Sequence, residues 1–254
     1  MKVKVNGKKL KNKIEAVLLK GKWNYGINNK QDVLHTSIVM GVNPETNVLK
    51  IYNADPATYV ENSMDCEEYE ESNSGRFAID SDIILKYLAD ETCVLSLEDT
   101  VLRISTERKT VKLPILERHQ YNDNIIHTNT NVSWCRDIMK PVVVSSRTSL
   151  MTRIKVPTDE LIEAFKDCES VGNSVYKLHF EDGDFTISST KGNESVSITV
   201  ECLGHNGPEA TVEFSTPLHK HLNHAITIIS FNDESPVSIM NGQFNVLRAP
   251  RIEG

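Results

Sequence analysis

Arg153-Ile-Lys-Val-Pro-Thr-Asp-Glu-Leu-Ile-Glu-Ala-Phe-Lys-Asp-Cys168 sets the pattern from which the rest of the chain is read. Its first residues alternate, as a strand does. After the break Leu161, Ile162, Phe165 and Cys168 recur three and four apart, on one face of a helix over Thr158–Cys168. The same order occurs three more times. Lys2-Val-Lys-Val-Asn precedes a helix over Lys8–Lys20, with Leu10, Ile14, Val17 and Leu18 inward. Arg76-Phe-Ala-Ile precedes one over Asp80–Ala89, with Ile84, Leu85 and Leu88 inward. Val212-Glu-Phe-Ser precedes one over Thr216–Ile226, with Leu218, Leu222, Ala225 and Ile226 inward. Asp80 or Ser81, Thr158 and Thr216 stand where side-chain caps are favoured, and Pro217 takes a first helical position.

Strands follow each predicted helix, and they repeat too. Cys93-Val-Leu-Ser-Leu-Glu-Asp-Thr-Val-Leu-Arg-Ile-Ser-Thr parallels Val175-Tyr-Lys-Leu-His-Phe-Glu-Asp-Gly-Asp-Phe-Thr-Ile-Ser-Ser. Each reads as a hairpin turning near Glu98-Asp99 or Glu181-Asp182, with a further strand at Thr110–Leu116 or Ser195–Val200. The chain is thus an α+β protein of two similar domains, 1–118 and 149–254, each made of two β-α-β-β-β units. Between them lies a connector, 119–148, rich in Asn and Thr. It carries Trp134, and Pro141 before a Val142-Val-Val run that reads as a strand. A connector of that length is often functional.

With 254 residues, 39% hydrophobic and 25% charged, the chain has the composition of a soluble globular protein. It has no apolar run long enough to cross a bilayer and no signal-peptide pattern, so an intracellular location and no membrane partner are expected. Five scattered cysteines (Cys66, Cys93, Cys135, Cys168, Cys202) without a C-x-x-C pair read as reduced thiols, mostly buried. The net charge of -7 hides a segregation. Lys2–Lys22 holds eight lysines and one acid, Glu15, whereas Met64–Glu71 is acidic. A basic inner surface under an acidic outer one fits both facts.

The C-terminus, Pro236-Val-Ser-Ile-Met-Asn-Gly-Gln-Phe-Asn-Val-Leu-Arg-Ala-Pro-Arg-Ile-Glu, resembles the closing segment of the proliferating cell nuclear antigen family of sliding DNA clamps. The fourfold unit, the two-domain length and the connector match that family along nearly the whole chain. The resemblance implies the DNA-clamp fold, with three subunits in a ring, helices lining the hole and sheets outside. It implies a processivity factor for replication and DNA repair, encircling double-stranded DNA without sequence preference. The implied compartment is the cytoplasm or nucleoid, the nucleus in a eukaryote, or the host cell of a virus.

The candidate DNA-facing cations are Lys8, Lys9, Lys11, Lys13 and Lys20 on the first helix, Lys86 on the second, Lys166 on the third and Lys220 on the fourth. Lysines that follow phosphates without reading bases suit a protein that slides. Asp159, Glu160 and Glu163 make the third helix acidic, a departure from the family's channel helices. Closure to a homotrimer would pair the strand of Val111, Leu113 and Ile115 with that of Val196, Ile198 and Val200 of the next copy, Pro114 removing one donor. A replicative polymerase, an ATP-driven clamp loader and other proteins with short clamp-binding peptides would dock at Trp134, Pro236, Leu247, Arg248, Ala249 and Pro250. Arg248, in place of an apolar residue, is expected at the pocket edge, favouring acidic peptides.

Other readings of the same pattern are a clamp-like subunit of a heterotrimer and a monomeric viral processivity factor. From another class comes a small-molecule-binding β protein or enzyme. That reading needs polar groups converging on an apolar pocket, and the sequence carries no G-x-S-x-G, P-loop, H-E-x-x-H or acid pair. No catalytic residue, cofactor or metal is expected. His219, His221 and His224 lack the spacing and the carboxylate of a zinc site.

Overall fold

The computed structural model describes residues 1–18, 37–43, 45–54, 57–70, 76–116, 132–145, 148–172, 175–215, 219 and 221–251. The chain divides into two compact units, Met1–Thr128 and Asn129–Gly254.

The N-terminal unit runs β1 (Lys2–Asn6), α1 (Gly7–Val17), β2 (Ser37–Asn43), β3 (Val48–Ala54), β4 (Thr58–Asp65), β5 (Glu68–Glu70), β6 (Arg76–Asp80), α2 (Ser81–Tyr87), β7 (Thr92–Glu98), β8 (Val101–Ser105) and β9 (Thr110–Pro114). Its strands pair antiparallel in two sets, β5-β1-β7-β8-β9 and β6-β2-β3-β4. The C-terminal unit runs β10 (Val142–Ser145), β11 (Thr148–Leu150), β12 (Thr152–Pro157), α3 (Thr158–Ser170), β13 (Val175–Glu181), β14 (Asp184–Lys191), β15 (Glu194–Val200), β16 (Gly204–Asn206), β17 (Ala210–Ser215), β18 (Ile226–Phe231), β19 (Val237–Asn241) and β20 (Phe244–Arg248). Its sets are β16-β12-β18-β19-β20 and β15-β14-β13-β17.

The two units repeat one topology. In each, the first strand pairs with the hairpin that follows the second repeat, and the strand opening that repeat pairs back on the first hairpin. A short extra strand, β5 or β16, lies along the outer side of the first. The chain therefore has two domains of similar topology. Apolar alternation buries one sheet face under the helices. Leu161, Phe165 and Cys168 of α3 are fully buried, and Phe165 stands edge-on to Tyr176 at 5.2 Å and to Phe214 at 6.2 Å.

Helix starts follow local chemistry. Asn6 Oδ1 accepts from the Lys9 N–H at 2.9 Å, and Asp80 Oδ1 accepts from Asp82 and Ile83 at 2.8 and 3.2 Å. Gly7 is held by close approach: a Cβ there would sit 2.0 Å from the Ala89 carbonyl oxygen. Both predicted hairpins turn where expected, Glu98 opposite Val101 and Glu181 opposite Asp184. Asp182 and Gly183 have φ of 51° and 92°, the left-handed pair a two-residue turn favours.

Three expectations are corrected. The first helix ends at Val17, because Leu18 turns extended at φ -71°, ψ 119°. Thr158 does not cap α3; Pro157 holds that position without a side-chain bond. The Thr158 N–H instead donates to the Ala225 carbonyl at 2.9 Å, and its hydroxyl meets that of Thr227 at 2.8 Å. Gly7 does the same in the other unit, donating to the Glu91 carbonyl at 3.0 Å.

The predicted fourth helix is the third correction. Residues 219 and 221–225 are not helical, and Ile226 opens β18. The physical reason is Asn241, 1% exposed. Its Oδ1 accepts from the Asn223 and His224 N–H groups at 2.9 and 2.8 Å. Its Nδ2 lies within hydrogen-bonding distance of the His224 and Ile226 carbonyls, at 2.9 and 3.1 Å, and of the Thr158 and Thr227 hydroxyls, at 3.1 and 3.0 Å. A side chain that offers backbone groups these partners competes directly with a helix. Thr216, Pro217, Leu218 and Lys220 lie outside the described residues.

Candidate functional site

The predicted DNA-facing lysines separate into two kinds. Lys8, Lys9, Lys86 and Lys166 are exposed, and Lys11 is half-exposed. Lys13 is half-buried, its Nζ donating to Asn62 Oδ1 of β4 at 2.9 Å. Burial pulls the Lys13 ammonium below its ordinary proton affinity, against the opposing pull of Asp65. The open stripe of α1 is Lys8, Asn12 and Glu15 with Lys9 beside it, rather than the expected run through Lys13. Lys20 and Lys220 lie outside the described residues.

The charge segregation has a partly local use. The acidic run supplies β5, which pairs with β1 and sets Glu70 opposite Lys2 and Glu68 opposite Lys4. The ion pairs close at 2.9 and 2.8 Å, and each of the pair Lys4–Glu68 favours the charge of the other. Those two lysines belong to a strand paired on both sides, not to a helix.

Both strands predicted for subunit closure are present as edges. Among the described residues β9 and β15 each have a strand neighbour on one side only. On β9, Leu113 is buried while Val111 and the following Ile115 are half-buried. On β15, Val200 is buried while Val196 and Ile198 are half-buried. Pro114, the residue without a donor, closes β9 and is exposed.

At the C-terminus, Val237 opposite Arg248 puts Pro236 and Ala249 at the same end of the β19–β20 hairpin. Pro236, Ala249 and Pro250 are half-exposed and Leu247 is buried. Beyond β20 the tail runs along β17, where the Arg251 N–H donates to the Glu213 carbonyl at 2.7 Å. Arg248 is not on an open rim as expected. It is 3% exposed, and its Nη2 donates to Ser215 Oγ at 3.1 Å. Ile252 and Glu253 lie outside the described residues, as does much of the connector. Trp134 is half-buried beside Ser133, whose N–H donates to the Val143 carbonyl at 2.8 Å.

One buried residue that strand alternation did not single out organises the end of the connector. Arg153 has no exposed surface. Its Nε donates to Ser230 Oγ at 3.0 Å and its Nη1 to the Asp137 carbonyl at 2.6 Å. Nη1 also bonds the Lys140 carbonyl, and Nη2 that of Cys135. One guanidinium thus gathers three carbonyls of a single loop, a task its fork of donors suits.

The three histidines take separate places. His219 is buried and stacks on Phe165 at 5.8 Å, His221 meets Phe244 edge-on at 5.9 Å, and His224 lies against Gly242. No cluster among the described residues could hold a metal ion. The five thiols are free; Cys93 and Cys168 are buried, which pushes each up to about 11, away from nucleophilic use. No helix among the described residues is long and apolar enough to cross a membrane.

Comparison with solved structures returns sliding clamps. The Bacillus subtilis DNA polymerase sliding clamp aligns with a TM-score of 0.74 at 16% identity, covering 100% of this chain and 65% of that one. The Pseudomonas aeruginosa DNA polymerase III subunit beta aligns at 0.73 and 11%, covering 100% and 66%. A. fulgidus PCNA, solved with the C-terminal region of FEN-1 bound, aligns at 0.71 and 17%, covering 100% and 99%. The chain thus spans about two thirds of the bacterial clamps and nearly the whole A. fulgidus chain. No family model and no curated protein matches it. At these identities the shared property is the fold.

Proposed function

We propose that the chain is a sliding-clamp subunit of the proliferating cell nuclear antigen type, which closes with two further copies around double-stranded DNA inside the cell. The observation that carries the reading is that β9 and β15, two one-sided antiparallel edges, belong to the same chain. Head-to-tail pairing of such edges propagates, and a suitable rotation closes it into a ring. The end-to-end correspondence with the A. fulgidus chain supports two domains per subunit, 1–118 and 149–254. In this reading the ring is a processivity factor without catalysis of its own. It holds a replicative polymerase, a clamp loader and repair proteins through short peptides docked at the connector 119–148 and the Pro236/Leu247–Pro250 hairpin end.

Encirclement is tested with linear duplex DNA whose ends are blocked after the protein is added, followed by a salt wash. Protein is expected to stay on blocked DNA and to leave when a restriction cut opens an end. Equal loss before and after the cut contradicts the reading. In simple binding to open duplex, Lys8→Ala with Lys9→Ala should lower the salt slope by about two, one counterion per lost phosphate contact. Lys13→Ala should change it less, since Asn62 already holds that ammonium.

A further inference from the structure

On β13, β14 and β17 the residues that alternate away from Tyr176 and Phe214, and so away from α3, include Lys177, Ser188 and Glu213. Lys177 is the cross-strand partner of both Ser188 and Glu213. With Val175, Thr190 and Arg251 of the tail, these three line a pocket of about 220 Å³. Ser189, also at its wall, turns its hydroxyl to the Val175 carbonyl at 2.8 Å.

Two cations meet one carboxylate in this pocket. Lys177 and Arg251 are exposed and Glu213 is half-buried. Neither cation closes an ion pair among the described residues. The tail is fastened through its main chain, the Arg251 N–H donating to the Glu213 carbonyl at 2.7 Å, so the guanidinium is not spent on holding it. The hydroxyls of Ser188 and Thr190 stand two residues apart on β14. A planar fork of N–H donors, an ammonium and two hydroxyls suit a tetrahedral oxyanion.

We infer that this pocket binds the phosphate group of a phosphorylated residue on a partner peptide, Lys177 and Arg251 pairing its oxygens and Ser188 and Thr190 donating to them. The source of the phosphate rests on the docking site proposed above. Arg251 follows Pro250 directly, and Ser215, which accepts from Arg248 at 3.1 Å, stands two residues from Glu213 on the same side of β17. A peptide seated at the hairpin end thus passes its flanking residues beside the pocket. The preference for acidic peptides expected of Arg248, which is buried, falls instead to Lys177 and Arg251. A phosphate carries up to two charges and three acceptor oxygens, where a carboxylate carries one charge and two oxygens. Phosphorylation beside the docked segment therefore raises the affinity of a partner.

The test follows amide shifts of the isotope-labelled full chain by NMR at constant ionic strength. The probes are inorganic phosphate, sodium chloride, an alanine pentapeptide with a central phosphoserine, and its serine twin. Inorganic phosphate and the phosphopeptide should give saturable shifts centred on residues 177, 188–190, 213 and 251, which chloride and the serine peptide do not reproduce. Lys177→Ala and Arg251→Ala should each weaken phosphate binding about tenfold, the loss of one charge-assisted contact. Glu213→Gln should tighten it about threefold, because the opposing charge is gone. That opposite sign distinguishes electrostatics from a disturbed fold. Shifts that chloride matches, or a midpoint that neither Lys177→Ala nor Arg251→Ala moves, overturn the site. Binding of inorganic phosphate but not of the phosphopeptide overturns the partner as its source. None of these failures touches the ring, since the pocket includes no residue of β9 or β15.

Discussion

Arg153→Leu lowers the unfolding free energy of the C-terminal unit by about 3–5 kcal/mol, read as a drop in the urea midpoint at unchanged slope. The size follows from the partners. The guanidinium is the donor to the carbonyls of Cys135, Asp137 and Lys140 and to Ser230 Oγ. Leucine fills much of the space but leaves those acceptors without a donor, and a stranded acceptor costs more than a bond contributes. Arg153→Lys should fall between, since an ammonium keeps the charge but cannot fork to several carbonyls. Amide exchange should rise first at residues 135–140, the loop that the guanidinium gathers. A loss under about 1 kcal/mol would show that the loop holds itself.

Asn241→Ala is the second large effect, about 2–4 kcal/mol by the same measurement. It removes the acceptor of the Asn223 and His224 amides and the donor to the His224 and Ile226 carbonyls. It also cuts the tie to Thr158 at the start of α3. Asn241→Asp separates the roles: the carboxylate still accepts from the two amides but, when ionised, faces the His224 and Ile226 carbonyls with no donor. It should be nearly as damaging as alanine at neutral pH. An Asn241→Asp protein as stable as wild type would show that the donated bonds contribute little.

These two residues mark where sequence reading ends. The repeat was legible because alternation and three-four spacing are local, and β1, α2, α3 and both hairpins follow it closely. The fourth helix failed because its competitor, Asn241, lies 18 and 17 residues beyond the amides it captures, out of reach of any local pattern. Arg153 was read only as the start of a strand, since alternation cannot distinguish a surface arginine from one enclosed by a loop. The edges β9 and β15 were legible as strands whose apolar residues alternate. That Lys13 is held by Asn62 and Arg248 by Ser215 depends on contacts 49 and 33 residues apart in the chain, which charge patterning does not contain.

The most direct test of the central claim is molar mass in solution, by light scattering across a dilution series at moderate salt. The account predicts a plateau at three times the chain's 28.6 kDa, falling towards one chain on dilution. A mass of one chain at every concentration would contradict it.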